Sequence, residues 1–460
     1  MGALRISLPG YPLSVVAHTA AGPLYVLSTY GEPLERRRML LAVDLAGKVL
    51  WSREFDGDRQ GPLYRTAHRK HLRVSESGTV FLIDGDALLG VTGAGEAESG
   101  IPMEHGPDEV PGAFTLLREG FCTTWTTAPP RHHDIRVDVR DHSGAVAWST
   151  RIPTEPLGYR GPPGMEEDFM PFEPAMPFEF EPSRHDPLLV AGHRIMTGFF
   201  DVSTGQSLSY LLDRYSGRLV HRIPVAGGQY AAIAGPGEFL AGDRGFGLLG
   251  TARYDESGIE VVRWDSEGPL LVGPDGAIRC VESGNPVGPL RFRELNADGS
   301  TIDGPVLSRS FPARAALDVS GAVVFAQDKA LRAIYADSRE RVLCETSEEI
   351  DSHGRILLLE DGLVAFSTPR ELILAETDLG PLPSTGWVCG DGNLRANPSS
   401  KVREGLLEGP RVPQGGLHGP TPRQNLVPSQ VIATGPPAET PPMCSSSGNS
   451  CQVTSAPRAR

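Results

Sequence analysis

Three stretches decide the fold: LAVDLAGKVLWSRE (41–54), VDVRDHSGAVAWSTR (137–151) and YLLDRYSGRLVHRIP (210–224). Each reads as a strand, a tight turn built on an Asp and a Gly, and a second strand. A large ring stands four residues beyond the Gly: Trp51 after Gly47, Trp148 after Gly144, His221 after Gly217. Asp hydrogen-bonds the backbone of its own turn and Gly accepts positive φ, so each stretch is a β-hairpin. The ring beyond it is placed to pack between neighbouring sheets.

Weaker copies of the turn recur as Thr92-x-x-Gly95, Asp255-x-x-Gly258, Asn296-x-x-Gly299, Asp337-x-x-Glu340 and Thr377-x-x-Gly380. From 217 onward the spacing is 41 residues three times and then 40, while the first two intervals are 48 and 49. The longer interval between 144 and 217 falls to 40 once 154–186 is removed. A second hairpin precedes each of these turns. It is clearest in RVSESGTVFLIDGDALLGV (73–91) and ALDVSGAVVFAQDKALRAI (316–334), with related openings at 115–125, 270–281 and 349–366. Two hairpins per period make a four-stranded sheet, the content of one propeller blade. Such a sheet cannot bury both faces alone, so the blades must stack, and a closed ring removes the exposed ends. The expected fold is therefore all-β, a closed β-propeller of about eight blades. Seven is the alternative, because the last turn is the most degenerate. LRISLP (4–9) precedes the first complete blade and is expected to supply the outer strand of the last.

These strand-Asp-turn-Gly-x-x-x-Trp hairpins resemble the repeats of the pyrroloquinoline-quinone-like, or quinoprotein-like, β-propellers. The resemblance spreads over 11–380 and is best in the hairpins ending at Trp51, Trp148 and His221. Gly-His and Trp-Asp signatures of the Trp-Asp repeat propellers are missing. The resemblance implies a fold rather than one function, since its members include dehydrogenases, assembly scaffolds and sensor domains. Its quinone dehydrogenases often carry two adjacent cysteines, which this chain lacks, so no cofactor is expected. Its outer-membrane assembly lipoproteins need an N-terminal lipidated cysteine, which the first residues do not offer.

Composition agrees with short strands: 54 Gly and 41 Pro among 460 residues interrupt the apolar runs every few positions. A net charge of −14 argues against nucleic acid and anionic membrane as partners. Residues 395–460 carry seven Lys or Arg against three Asp or Glu, so the charge is acidic in the body and mildly basic at the end. MGALRISLPGYPLS has no basic segment followed by an apolar stretch and a cleavage site, and no apolar run approaches a membrane span. A cytoplasmic monomer is expected, with Cys122, Cys280, Cys344, Cys389, Cys444 and Cys451 as free thiols.

Two segments break the repeat. Residues 154–186 are too rich in Pro for a helix or interior strand, yet Phe169, Met170, Phe172, Met176, Phe178 and Phe180 cluster among acidic residues. One reading packs these side chains on the nearest blade; the other makes them a lid or a partner-docking segment at a rim of the ring. From about 394 the chain turns to Pro, Gly, Ser and Gln without periodicity, the composition of a disordered tail. The propeller is expected to span 1–393 and the tail 394–460.

Candidate chemistry is sparse. Arg131, His132, His133 and Asp134, with Asp138, Asp141 and His142, invite a metal reading. Successive side chains on a strand point to opposite faces, which favours instead a polar loop with Asp141 shaping the turn. Arg65, His68, Arg69, Lys70, His71 and Arg73 form a basic patch, read as solvated charge. His18, His71, His193 and His353 are the histidines open to a channel-mouth role. No P-loop, dinucleotide fingerprint, Gly-x-Ser-x-Gly or HExxH motif occurs. The expected function is a non-enzymatic scaffold or interaction module with a protein partner at the rim or insert. The alternatives are a lyase or hydrolase with an axial pocket and a small-ligand sensor. Two or more convergent carboxylates or histidines on the axis would favour the enzyme.

Overall fold

A computed structural model describes residues 2–31, 37–55, 72–107, 109–127, 134–153, 188–201, 206–223, 230–243, 250–266, 268–282, 290–307, 315–327, 329–350 and 354–399. They form eight four-stranded antiparallel sheets. The inner strands are Tyr11–Ala17, Arg73–Val74, Glu109–Leu117, Leu188–Ala191, Tyr230–Gly235, Leu270–Val272, Ala316–Leu317 and Leu357–Leu358, for blades 1 to 8 in order. Blades 1 to 7 each run outward in chain order. In blade 8 the outer strand is Ala3–Ser7 from the other end of the chain, paired with Glu371–Glu376 from Ala3 opposite Ala375 to Ser7 opposite Glu371. The N-terminal strand thus closes an eight-bladed ring, which excludes seven blades.

The Asp-Gly hairpins explain how neighbouring blades interlock. In the three strong copies, and in the weaker ones at Gly95, Gly258 and Gly299, the turn Gly takes positive φ, +86° at Gly95 and +70° at Gly217. At Gly95, Gly217 and Gly258 its bare Cα lets a ring from the preceding blade lie across it. A Cβ on Gly95 would stand 2.8 Å from Trp51 Cδ2, and one on Gly217 would collide with Trp148. The indoles also reach the next turn with their polar end: Trp51 Nε1 donates to Gly93 O at 2.9 Å, Trp148 Nε1 to Arg214 O at 2.8 Å and Trp264 Nε1 to Asn296 O at 2.7 Å. At the seam, Leu4 of the N-terminal strand lies over Gly47 as Trp51 lies over Gly95.

Two of the weaker turns differ from expectation. The turn of blade 7 runs from Tyr335 to Arg339, two residues before Asp337-x-x-Glu340, and Ser338 rather than a Gly takes the positive φ of 62°. At Thr377-x-x-Gly380 there is no hairpin. The chain leaves blade 8 there because its fourth strand comes from the N-terminus, and Gly380 N–H donates to Asp318 Oδ2 in blade 7.

The core lies between blades. Phe114, Phe121 and Trp125 of blade 3 pack with Ile83 and Leu88 of blade 2, and similar clusters follow around the ring. Burying such a side chain contributes about 1.5–3 kcal/mol, which is what makes stacking compulsory for sheets this small. Strands alternate in direction, so the ring has two unlike faces. On the turn face lie the ends of the inner strands, both hairpin turns of blades 1 to 7 and the one hairpin turn of blade 8. The connection face carries the links from second to third strand and from one blade to the next. The one helical turn among the described residues, Glu360–Gly362, belongs to a hairpin of blade 8. Among the described residues no helix is long and apolar enough to cross a membrane.

Candidate functional site

On the turn face, the chain that leaves blade 8 returns across the mouth of the axial channel. Val319 N–H donates to Pro381 O and Leu382 N–H to Leu358 O. After the exposed Ser384–Gly386 the strand edges are visited in sequence around the ring. Trp387 exchanges backbone hydrogen bonds with Val272 of blade 6, both at 2.8 Å, and Leu317 N–H of blade 7 donates to Val388 O at 2.7 Å. Ala17 of blade 1 donates to Leu394 O, Val74 of blade 2 to Arg395 O and Val190 of blade 4 to Pro398 O, at 2.9–3.0 Å. Blade 3 is met by Asn397, which accepts from Leu116 N–H at 2.9 Å and donates to Leu116 O at 3.1 Å. Inner strands are sheet edges with unused N–H and C=O groups aimed at the axis, and this strap takes up one N–H each from blades 1, 2, 4, 6 and 7 and both groups of Leu116 in blade 3.

Blade 8 contributes a side chain instead. Arg355, 3% exposed, donates through Nε to Gly390 O at 2.7 Å, through Nη1 to Val15 O at 3.0 Å and Leu394 O at 3.3 Å, and through Nη2 to Asn393 O and Cys389 Sγ. One guanidinium thus ties the turn of the strap to blades 1 and 8. The turn itself, Cys389–Gly392, closes with Gly392 N–H on Cys389 O and puts Asp391 at φ 60°. The Asp391 carboxylate stands 4.0 Å from Arg355 Nε and 3.9 Å from Arg73 Nη1.

Several expectations are corrected here. Arg73 is not solvated charge: it is 3% exposed, donates through Nε to Phe114 O at 3.2 Å and stands over the Phe114 ring. Arg65, His68, Arg69, Lys70 and His71 lie outside the described residues, as does His353. His18 and His193 occupy hairpin turns of blades 1 and 4, so they serve separate local contacts. His18 Nε2 donates to Glu76 O at 3.0 Å, and His193 leans on Tyr215. The expected boundary at 393/394 falls inside the strap, whose contacts continue to Ser399. Residues 400–460 lie outside the described residues.

The acidic and histidine cluster of blade 3 resolves into ion pairing. Arg131, His132 and His133 lie outside the described residues. Asp138, fully buried, accepts from Arg140 Nη2 at 2.9 Å and pairs with Arg136 Nη1 at 3.1 Å. Glu109 takes Arg136 and Arg151, both at 2.9 Å. The Arg136 guanidinium stands 4.8 Å from the centre of the Trp125 ring, on which His105 stacks at 5.2 Å. With two arginines on it, Asp138 neutralises buried charge rather than offering a free ligand. Asp141 does shape its turn, accepting from Ser143 N–H, Ser143 Oγ and Ala145 N–H. His142 Nε2 donates to Arg118 O at 2.9 Å.

Among the described residues no group of three or more His, Cys, Asp or Glu is close enough to hold a metal ion. Cys122, Cys280, Cys344 and Cys389 are in no disulfide, and burial pushes the Cys122 and Cys344 thiols up from the ordinary value. Phe169, Met170, Phe172, Met176, Phe178 and Phe180 lie outside the described residues. The strands that flank their segment are described: Val146–Pro153 ends, and Leu188–Ala191 begins, on the connection face.

No protein-family model matches the chain, and no curated protein matches it by sequence. Solved structures resemble it at low identity. A catalytically inactive virginiamycin B lyase from Staphylococcus aureus with quinupristin is 12% identical, over 82% of this chain and 99% of that one, with a TM-score of 0.42. A chain of the mitotic checkpoint complex is 10% identical over 67% and 86%, TM-score 0.42. Hydrazine synthase from Kuenenia stuttgartiensis is 12% identical over 73% and 79%, TM-score 0.37.

Proposed function

We propose that this chain is a non-enzymatic protein-binding propeller that engages its partner on the connection face, with 154–186 as the docking segment. The observation that carries this reading is the inequality of the two faces. The turn face has the ends of its inner strands crossed by the chain's own strap, and the charges that this crossing brings together among the described residues are Arg73 and Arg355, held by backbone carbonyls, and Asp391. A set of converging acids and bases, which axial chemistry needs, is not what these groups make. The connection face carries the links of unequal length, and 154–186 departs from it between blades 3 and 4. Its Phe and Met residues supply adaptable apolar contact, and its carboxylates keep it soluble when unengaged. The docked indoles of blades 1 and 3 support a quinoprotein-like repeat.

The test replaces 154–186 by a short Gly-Ser linker and compares affinity capture from the native host, followed by crosslinking of whatever is retained. The expected result is an unchanged strand-dominated circular dichroism spectrum, loss of the captured partner, and wild-type crosslinks on the connection face near Pro153 and Leu188. Unchanged capture after the replacement sinks the proposal.

A further inference from the structure

The segment Trp387–Ser399 lies on the ring as a bound peptide lies on its receptor. Its contacts recognise extended backbone: Val272, Leu317, Ala17, Val74 and Val190 each donate an edge N–H to one of its carbonyls. Asn397 gives and accepts one bond with Leu116, as a peptide group would. Arg355 gathers three carbonyls of the central turn. Trp387, Val388, Cys389 and Ala396 are buried, so the segment supplies apolar area as well as hydrogen bonds. Yet no blade needs it as a strand. Every sheet has its four strands without it, and the link that joins it to the ring, Ser384–Gly386, is exposed.

We infer that the channel mouth on the turn face is a peptide-docking site occupied in cis. It takes an extended segment with a Gly-Asp-Gly turn, anchored by Arg355, with the turn carboxylate facing Arg73 and Arg355. The chain's own 387–399 is its ligand, and the same segment supplied on a separate molecule takes its place. Recognition of this kind is edge-strand pairing to several short strands in succession, with side-chain contacts setting register. The site stands apart from the docking segment proposed above, which leaves from the opposite face, so the two ideas fail independently.

The experiment uses the full chain with a specific protease sequence placed at Ser384–Gly386. After cleavage, the fragment beginning at the strap stays with the ring through gel filtration at micromolar concentration. A fluorescent synthetic peptide of residues 386–399 then exchanges into the cleaved protein, read as a saturable rise in anisotropy that a scrambled peptide does not give. Asn397→Ala in the peptide loses both bonds to Leu116 and weakens binding about tenfold or more. Arg355→Met in the protein releases the fragment. Should that variant fold poorly, the peptide variant still reads the site on an unaltered ring. Dissociation of the wild-type fragment on cleavage overturns the inference, because the strap then has no affinity of its own. Retention without exchange over days of incubation also overturns it, because the strap is then an inseparable part of the ring.

Discussion

Trp148 in the outer strand of blade 3 donates its indole N–H to the Arg214 carbonyl in blade 4 while its ring covers Gly217. Two requirements of one interface, a hydrogen bond and a missing Cβ, therefore sit in different blades. Trp148→Phe keeps the stacking surface and drops the donor, so it is expected to cost about 1 kcal/mol; Trp148→Ala removes the half-buried ring as well and costs about 3 kcal/mol. Gly217→Ala meets both the ring and a positive φ, and is expected to cost at least as much as Trp148→Phe. Equilibrium urea unfolding checks the order, which fails if Trp148→Phe and Trp148→Ala are equal.

Closure rests on the N-terminal strand. Deleting residues 2–9 removes the outer strand of blade 8 and the cover over Gly47, a loss on the order of 5 kcal/mol. Ending the chain after Ser399 leaves every described contact in place and is expected to leave the melting temperature unchanged. Ending it at 393 is not equivalent, because it removes the groups that meet blades 1, 2, 3 and 4. Melting curves of the three truncations separate these cases; equal curves for the first two would mean that Ala3–Ser7 does not hold the ring.

Asp138→Ala leaves Arg136 and Arg140 buried without their shared carboxylate, and such losses typically cost 3–5 kcal/mol, about 4 kcal/mol here. Trp125 reports on the change, since Arg136 stands over its ring. A variant with native stability and unshifted tryptophan emission would show that the arginines find other partners.

The turn aspartates make stability depend on pH. The Ser143 hydroxyl holds the Asp141 carboxyl below its ordinary value; Ser216 does so for Asp213, Ser257 for Asp255 and Ser300 for Asp298. A carboxyl lowered on folding stabilises the native state above its unfolded pKa, near 3.9, and that contribution is lost as pH falls through the lower folded value. Stability should be level above about pH 5 and decline below about pH 4. Replacing the four serines by Ala should shrink the stability difference between pH 6 and pH 3, measured by denaturant unfolding at each pH. An unchanged difference would assign the acid response elsewhere.

Where each blade contains its own turn chemistry, the fold was legible in the sequence. Asp and Gly at fixed offsets report on a hairpin that closes within a few residues, and Trp51 and Trp148 report on the interface beyond it. Legibility ended where partners are distant in the chain. Thr377-x-x-Gly380 has the spacing of one more hairpin, although the closing strand expected from LRISLP leaves it no fourth strand to turn into. Arg73 sits among basic neighbours, and only the ring brings it to the axis beside Asp391. In the strap, Gly390, Asp391, Gly392, Asn397 and Pro398 share the composition of a tail; strand edges from blades far apart in sequence give them their conformation. Ser338 took a position that Gly holds elsewhere, which displaced the seventh turn by two residues.

The pairing of Ala3–Ser7 with Glu371–Glu376 also sets a schedule for synthesis. Of the blade strands, Ala3–Ser7 is made earliest and must wait for one made some 370 residues later, which at about 5–20 residues per second is roughly 20 to 75 seconds. Over that interval blade 1 can stack on blade 2, but its other side and Leu4 and Ile6 have nothing to cover them. The ring under synthesis is therefore open to wrong pairing at Ala3–Ser7 for that whole interval, and a chaperone that shields this strand would raise the yield of closed rings.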